Sequence, residues 1–256
     1  MGAAGYETAL MGRMHFVGSD QRHGFEHRPL GEYMATHPGV AWAGAPGFEK
    51  LTGTTGQSRG AVTGAGRGRT SYTAFDEMVT ASTQRYLREK GRQKDDRPFV
   101  AVAGYMLPHC PFAAPAELFD YYYERVDVPL LTAEDRDRLP AAVKTFQRLR
   151  GIEEPLPEER IRVARAAYFG MCEFVDREVG RLLQTLEESG LAERTVVVYC
   201  SDHGEMAGEH GCWWKSNYYE GSVGVPMIVR VPGLRARNEI SAVLFSKVNL
   251  RSERGL

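Results

Sequence analysis

The sequence predicts an α/β fold built on a mostly parallel central sheet, and three observations carry that prediction. Residues 98–104 and 195–200 are short apolar runs bounded by turn residues, the second rich in β-branched side chains, as expected of buried strands. Between them Ile161, Ala164, Tyr168, Met171, Val175, Val179, Leu182 and Leu186 recur at spacings of three and four, the signature of a long amphipathic helix. Strand, helix and strand alternate, which is how parallel sheets with covering helices are written in sequence.

The remaining elements follow in chain order. Residues 6–11 form a short apolar stretch read as a strand, and Gly12-Arg13-Met14-His15 then places polar groups just past its end. Residues 31–70, rich in glycine, proline and threonine, read as one long irregular loop. Its Gly64-x-Gly66 step neither follows a predicted strand nor opens a βαβ unit, so a dinucleotide site is a weak reading. Residues 74–90 carry Phe75, Met78, Val79, Tyr86 and Leu87 on one helical face, with Gly91 as the expected end. The proline-punctuated stretch 118–157 predicts short surface helices, and Gly190 is expected to cap the long helix. The β-branched run 195–200 reads as a central strand, and residues 226–231 read as a last strand ending at Pro232-Gly233.

Composition excludes several classes of function. With 43% hydrophobic and 25% charged residues over 256 positions, the chain reads as one globular domain. Lysine plus arginine number 32 against 33 acidic residues, and neither half carries the basic stripe that tracks nucleic acid. No apolar run approaches the roughly 20 residues needed to span a bilayer. Residues 1–9 lack the basic start and apolar core of a signal peptide, so a cytoplasmic address is expected. Four cysteines lie far apart without a C-x-x-C pair, which argues for buried thiols rather than a disulfide framework.

Open α/β sheets place their sites beyond the carboxyl ends of the strands, and polar clusters fall there. Arg13 with His15 follows the first strand, His109 between two prolines follows the strand at 98–104, and Asp202-His203 follows the strand at 195–200. Lys215 lies in the loop after that. A carboxylate and an imidazole side by side can ligate a divalent cation, although an aspartate after a strand also serves as a cap or turn residue. Cys200, His203, His210 and Cys212 could be imagined around zinc, but their spacing fits no standard site. Arg13 and Lys215 could hold an anion, although isolated cations are usually solvated surface groups.

Taken together and in order, these segments resemble the sulfatase family of the alkaline phosphatase superfamily. Residues 201–211, Ser-Asp-His-Gly-Glu-Met-Ala-Gly-Glu-His-Gly, followed by Trp214-Lys215, Tyr219-Glu220-Gly221 and residues 225–229, look like that family's core signature. Gly12-Arg13-Met14-His15 resembles its Gly-Lys-x-His segment, and Pro108-His109-Cys110-Pro111 its Pro-His-x-Pro segment. The flavour of residues 15–25 is nearest to the choline-sulfatase and bacterial arylsulfatase branch. The resemblance implies a three-layer, alkaline phosphatase-like sandwich. It implies that Asp202 and His203 are metal ligands, His203 standing where many relatives have Asn. The cation implied is Ca²⁺, with Mg²⁺ or Mn²⁺ as options. Arg13, in place of the usual Lys, would bear on the sulfate or on the formylglycine hydroxylate; His15 would hydrogen-bond that hydroxyl and help eliminate sulfate; His109 and Lys215 would clamp the sulfate oxygens and steady the leaving alcohol. The partner implied is a small sulfate ester.

The departures are equally specific. The family's formylglycine arises from a C/S-x-P-x-R motif, and none of the four cysteines has proline two positions on. The chain is therefore expected to be a sulfatase domain incomplete at both ends, with an atypical tail over 234–256, and to be inert or nearly so. Two rival readings are a phosphonate or phosphate monoester hydrolase of the same superfamily and a pseudoenzyme that binds sulfated ligands or metal.

Overall fold

A computed structural model describes residues 1–16, 18–32, 56–93 and 97–234. Strand β1 (Glu7–Gly12) is wholly buried and lies between β2 (His27–Leu30) and β4 (Phe99–Gly104), parallel to both. A second element, β3 (Gly66–Arg67), pairs with β5 (Ala113–Ala114), again in parallel. The helices are α1 (Arg59–Thr63), α2 (Ser71–Arg92), α3 (Ala116–Tyr123), α4 (Ala133–Arg138), α5 (Ala141–Arg150), α6 (Glu158–Glu188) and α7 (Glu220–Val223). After α6 come β6 (Val197–Cys200), the hairpin β7 (Met206–Ala207) with β8 (Trp213–Trp214), and β9 (Met227–Arg230).

The long helix spans 31 residues and carries the core. Ala164, Ala167, Met171 and Val175 of α6 pack with Tyr72, Phe75 and Val79 of α2, Leu118 and Phe119 of α3, Phe112, and Trp213 of β8. A smaller cluster of Leu87, Leu186, Leu191 and Ala192 lies beneath the starts of both β4 and β6, where Phe99 and Val197 pack on it.

Several expectations are corrected. Helix α2 begins three residues before the predicted start, because Thr70 and Thr73 form a reciprocal capping box. It does not end at Gly91; a Cβ there would lie 2.5 Å from the Ser189 carbonyl, so this glycine lets the ends of α2 and α6 approach. Within the stretch read as loop, α1 and β3 are regular, and residues 33–55 lie outside the described ones. The tail from 235 does too. Strand β2 was not predicted, since His27-Arg28-Pro29-Leu30 has neither alternation nor β-branched residues. Helix α3 is a short helix at the surface, as expected, with Leu118 and Phe119 turned inward against α6.

The largest correction concerns β6, which is not central among the described residues. Among the described residues it pairs with β9 alone, in antiparallel register. The ribbon's apolar side chains stay exposed, Val198 at 53% and Ile228 at 63%. Sequence shows that a run is apolar; burial depends on what is packed against it. Likewise β4, paired on one edge, is half-buried throughout.

Two predictions follow from this packing. Glu7 and Lys90, both buried, form an ion pair of 2.8 Å that ties β1 to the end of α2, with the Tyr86 hydroxyl donating to Glu7 at 2.9 Å. Burial pushes the Glu7 carboxyl up, but Lys90 and Tyr86 outweigh it and hold it below the ordinary 4.5. Its contribution is therefore present above that value and lost as pH falls below it. Denaturant titration should show Lys90→Met destabilising the chain by about 3 kcal/mol, with Glu7→Leu/Lys90→Met recovering most of that loss. An exposed apolar ribbon should drive self-association. Sedimentation of Val198→Lys/Ile228→Lys should show less of it at a thermal midpoint close to wild type; equal association would remove the ribbon as its cause.

Candidate active site

The site starts from the carboxyl ends of β1 and β4. Gly12 and Gly104 face each other in register, and a Cβ on Gly12 would lie 2.3 Å from the Gly104 carbonyl, one on Gly104 2.1 Å from that of Arg13. Only two glycines allow this approach. The Arg13 amide then donates to Gly104 at 2.8 Å, so the two following loops leave side by side.

In the first loop, the Arg13 guanidinium donates to His15 Nε2 and, at 2.8 Å, to Met106 Sδ of the neighbouring loop. His15 holds a left-handed backbone, φ 57°, a strained conformation for a non-glycine residue. Two residues the sequence reading passed over brace this loop. Glu32 accepts from the Met14 amide at 2.5 Å and from buried Arg28 at 3.1 Å, and the Arg28 guanidinium lies over the Phe16 ring. Their role was invisible because the strand carrying Arg28 was itself unpredicted.

In the second loop, Asp76 of α2 accepts from the Met106 and Leu107 amides at 2.7 and 2.9 Å. Burial pushes its carboxyl up to about 7 against the pull of these two bonds. The peptides preceding Pro108 and Pro111 are cis. His109 meets the Tyr72 ring edge-on, and its Nδ1–H donates to the Cys110 carbonyl at 2.6 Å, leaving the Nε2 lone pair free of that bond.

The third group follows β6. His203 Nδ1–H donates to the Gly204 carbonyl at 2.7 Å, and Nε2 accepts from Lys215 Nζ at 2.8 Å, with Asp202 3.6 Å from the same nitrogen. The Gly204 amide donates to Ser222 at 2.8 Å, and a Cβ on Gly204 would lie 2.2 Å from the Gly221 carbonyl, which explains the glycine after Asp202-His203. Lys215 is flanked by Trp214 (φ 66°) and Ser216 (φ 77°), both left-handed. Below it, buried Arg165 of α6 donates to the Ala207 carbonyl and pairs with Glu209, whose other oxygen accepts from the Ala207 amide. Asp202, His203, Lys215, Ser216, Asn217, Ser222 and Val223 line an open cavity of about 370 Å³. A second hollow, of about 70 Å³, lies among Pro129, Leu131, Ile152 and Trp213 and touches none of these side chains.

The groups are coupled electrostatically. Burial, then Arg13 and Lys215, hold His15 below its ordinary value, partly countered by Glu32 and Asp202. Burial likewise depresses His109, which also feels Arg13, Lys215 and His203. Two fixed cations and neutral imidazoles face one exposed carboxylate, an arrangement suited to an anion. It does not suit a metal unaided. Asp202 and His203 offer two donors, the His203 lone pair already faces an ammonium, and no cluster of three acidic, histidine or cysteine ligands exists among the described residues. Calcium takes six to eight oxygen ligands. The imagined zinc set is not formed either: Cys212 is buried with its thiol on the His210 carbonyl, and Cys200 is exposed.

Comparison with known proteins adds the context. The Sulfatase family model matches residues 1–252. Choline-sulfatase of Rhizobium meliloti is 33% identical over 242 residues, covering 90% of this chain and 46% of that protein. Arylsulfatase K of Gallus gallus is 27% identical over 245 residues, covering 88% and 45%. The chain thus spans about half the length of the curated relatives it matches. In structure, a phosphonate monoester hydrolase of Silicibacter pomeroyi superposes with a TM-score of 0.61 at 20% identity, over 91% of this chain and 52% of that one. This likeness shows the incomplete alkaline phosphatase-like α/β fold.

Removing a neighbouring cation makes an imidazole easier to protonate, so Lys215→Met should raise the pKa of His109 and of His15. Histidine NMR titration reads both; unmoved values would mean that Lys215 does not share their environment.

Proposed function

The chain belongs to the sulfatase family, and from that premise we propose that it carries the oxyanion-binding part of a sulfuric ester hydrolase. The observation supporting this reading is the mutual coupling of Arg13, His15, His109, Lys215, Asp202 and His203, which come from separate loops. Arg13 is the forked donor for two sulfate oxygens and Lys215 a point charge for a third. A bound sulfate ester, a monoanion, offsets the repulsion that Arg13 and Lys215 add to burial in holding His15 and His109 neutral. Each imidazole can then take up a proton, His109 at Nε2, and pass it to the leaving alcohol of that ester.

These residues do not complete a catalytic set. No Cys or Ser stands two positions before any proline in the 256 residues, so the C/S-x-P-x-R motif is absent from this chain. Burial also pushes the Cys110 thiol up to about 12 and those of Cys172 and Cys212 to about 11, which removes them as neutral-pH nucleophiles. Sulfatases generally use a divalent metal. Asp202 and His203 are our candidates for a Ca²⁺ site completed by further ligands, and no step is routed through it. The chain by itself binds without turnover. The four cysteines are all free, and no described helix is long and apolar enough to cross a membrane.

The clamp would serve a phosphonate ester as well, the substrate class named for the solved neighbour. Calorimetry with inorganic sulfate and with methylphosphonate separates the two anions. Sulfate should bind more tightly, and Lys215→Ala should weaken it about 10-fold or more. Absence of heat with either anion would remove the binding reading, and turnover of an aryl sulfate by the purified chain would overturn its inactivity.

A further inference from the structure

Asp76 is buried at 0% exposure in the second turn of α2 and belongs to none of the motifs that define the anion site. An ionised carboxylate is costly in such a place unless its oxygens are paired. Both are. One accepts from the Met106 amide at 2.7 Å and the other from the Leu107 amide at 2.9 Å, consecutive N–H groups just past the end of β4. His109 lies two residues beyond, and Tyr72, one helical turn before Asp76, meets its ring edge-on at 6.0 Å. The Met106 side chain in turn accepts from the Arg13 guanidinium at 2.8 Å. Met106 is thus gripped through its backbone by Asp76 and through its sulfur by Arg13. The carboxylate also interacts electrostatically with Arg13.

We infer that Asp76 is a positioning residue of the anion site: by fixing residues 106–107 it sets where the His109 ring and the Arg13 guanidinium meet a bound oxyanion. The inference rests on the oxyanion-binding reading above and adds to it a residue that touches no ligand. A carboxylate is the group required. Asparagine in its place offers one acceptor and sets its NH₂ against the second amide, donor facing donor, so one N–H loses its partner and the loop turns away.

The test uses the whole chain and inorganic sulfate, with His109 ring signals assigned by comparison with His109→Gln. Asp76→Asn should displace the His109 ring signals and weaken sulfate binding about 10-fold. Thr83→Val supplies the control for lost stability, because Thr83 is buried on the same helix and its hydroxyl bonds the Val79 carbonyl at 2.8 Å, away from the loop. It should leave the signals and the affinity unchanged. If Asp76→Asn lowers the melting temperature while His109 and sulfate affinity stay as in wild type, Asp76 is only a structural residue and the inference fails. If the wild-type His109 signals ignore sulfate altogether, the anion-site reading fails instead. Asp76 is then judged on the ligand-free spectra, where displaced His109 signals in Asp76→Asn support the positioning role and unchanged ones overturn it. Should Asp76→Asn not fold, Asp76→Ser, smaller and able to accept one N–H, is read by the same criteria.

Discussion

The first two loops of the candidate site are placed by the register between two parallel strands. From Glu7 against Phe99 to Gly12 against Gly104, β1 and β4 run in step and end together. The final pair lets the backbones approach more closely than any side chain would permit. Arg13 and the loop carrying His109 therefore leave the sheet as neighbours. A one-residue slip would turn every β1 side chain to the opposite face and separate them. The Glu7–Lys90 pair at the other end of β1 fastens that strand to the end of α2, which gives a reason for burying two charges there.

The second organising feature is the cost of burying titratable groups near fixed cations. His15 and His109 are held neutral by burial and by Arg13 and Lys215 together. Such imidazoles are poised to change protonation when a counter-charge arrives, as surface histidines in water are not. Left-handed backbone at His15, Trp214 and Ser216 points the same way, since strain of that kind persists where surrounding contacts hold it. Those contacts are identifiable: Glu32 and Arg28 under the first loop, and Arg165 with Glu209 under the hairpin that delivers Lys215.

The β6–β9 ribbon has the opposite character. It shares its foundation with β4, through Val197 and Phe99 on one small cluster, and carries Asp202-His203 at its far end. Yet its other apolar side chains, from Val198 to Val229, face solvent. The third limb of the site is thus held by the hairpin, by α7 and by the His203–Lys215 contact rather than by continuity of one sheet.

Local chemistry determined much of this from the sequence alone. The 3.6-residue periodicity of α6, the apolar runs of β1 and β4, and the family signature at 201–229 are properties of neighbouring residues, readable without a fold. Tertiary structure decided what depends on residues distant in sequence. An apolar run at 197–200 looks the same whether or not other elements pack on its faces, so the exposure of β6 was not legible. Nor was β2, whose residues lack strand propensity and are strands because β1 offers them an edge. The anchoring carboxylates Asp76 and Glu32 look in sequence like any charged residue on a helix or loop. Their meaning comes from backbone amides 30 and 18 positions away, respectively, which only the folded chain brings to them.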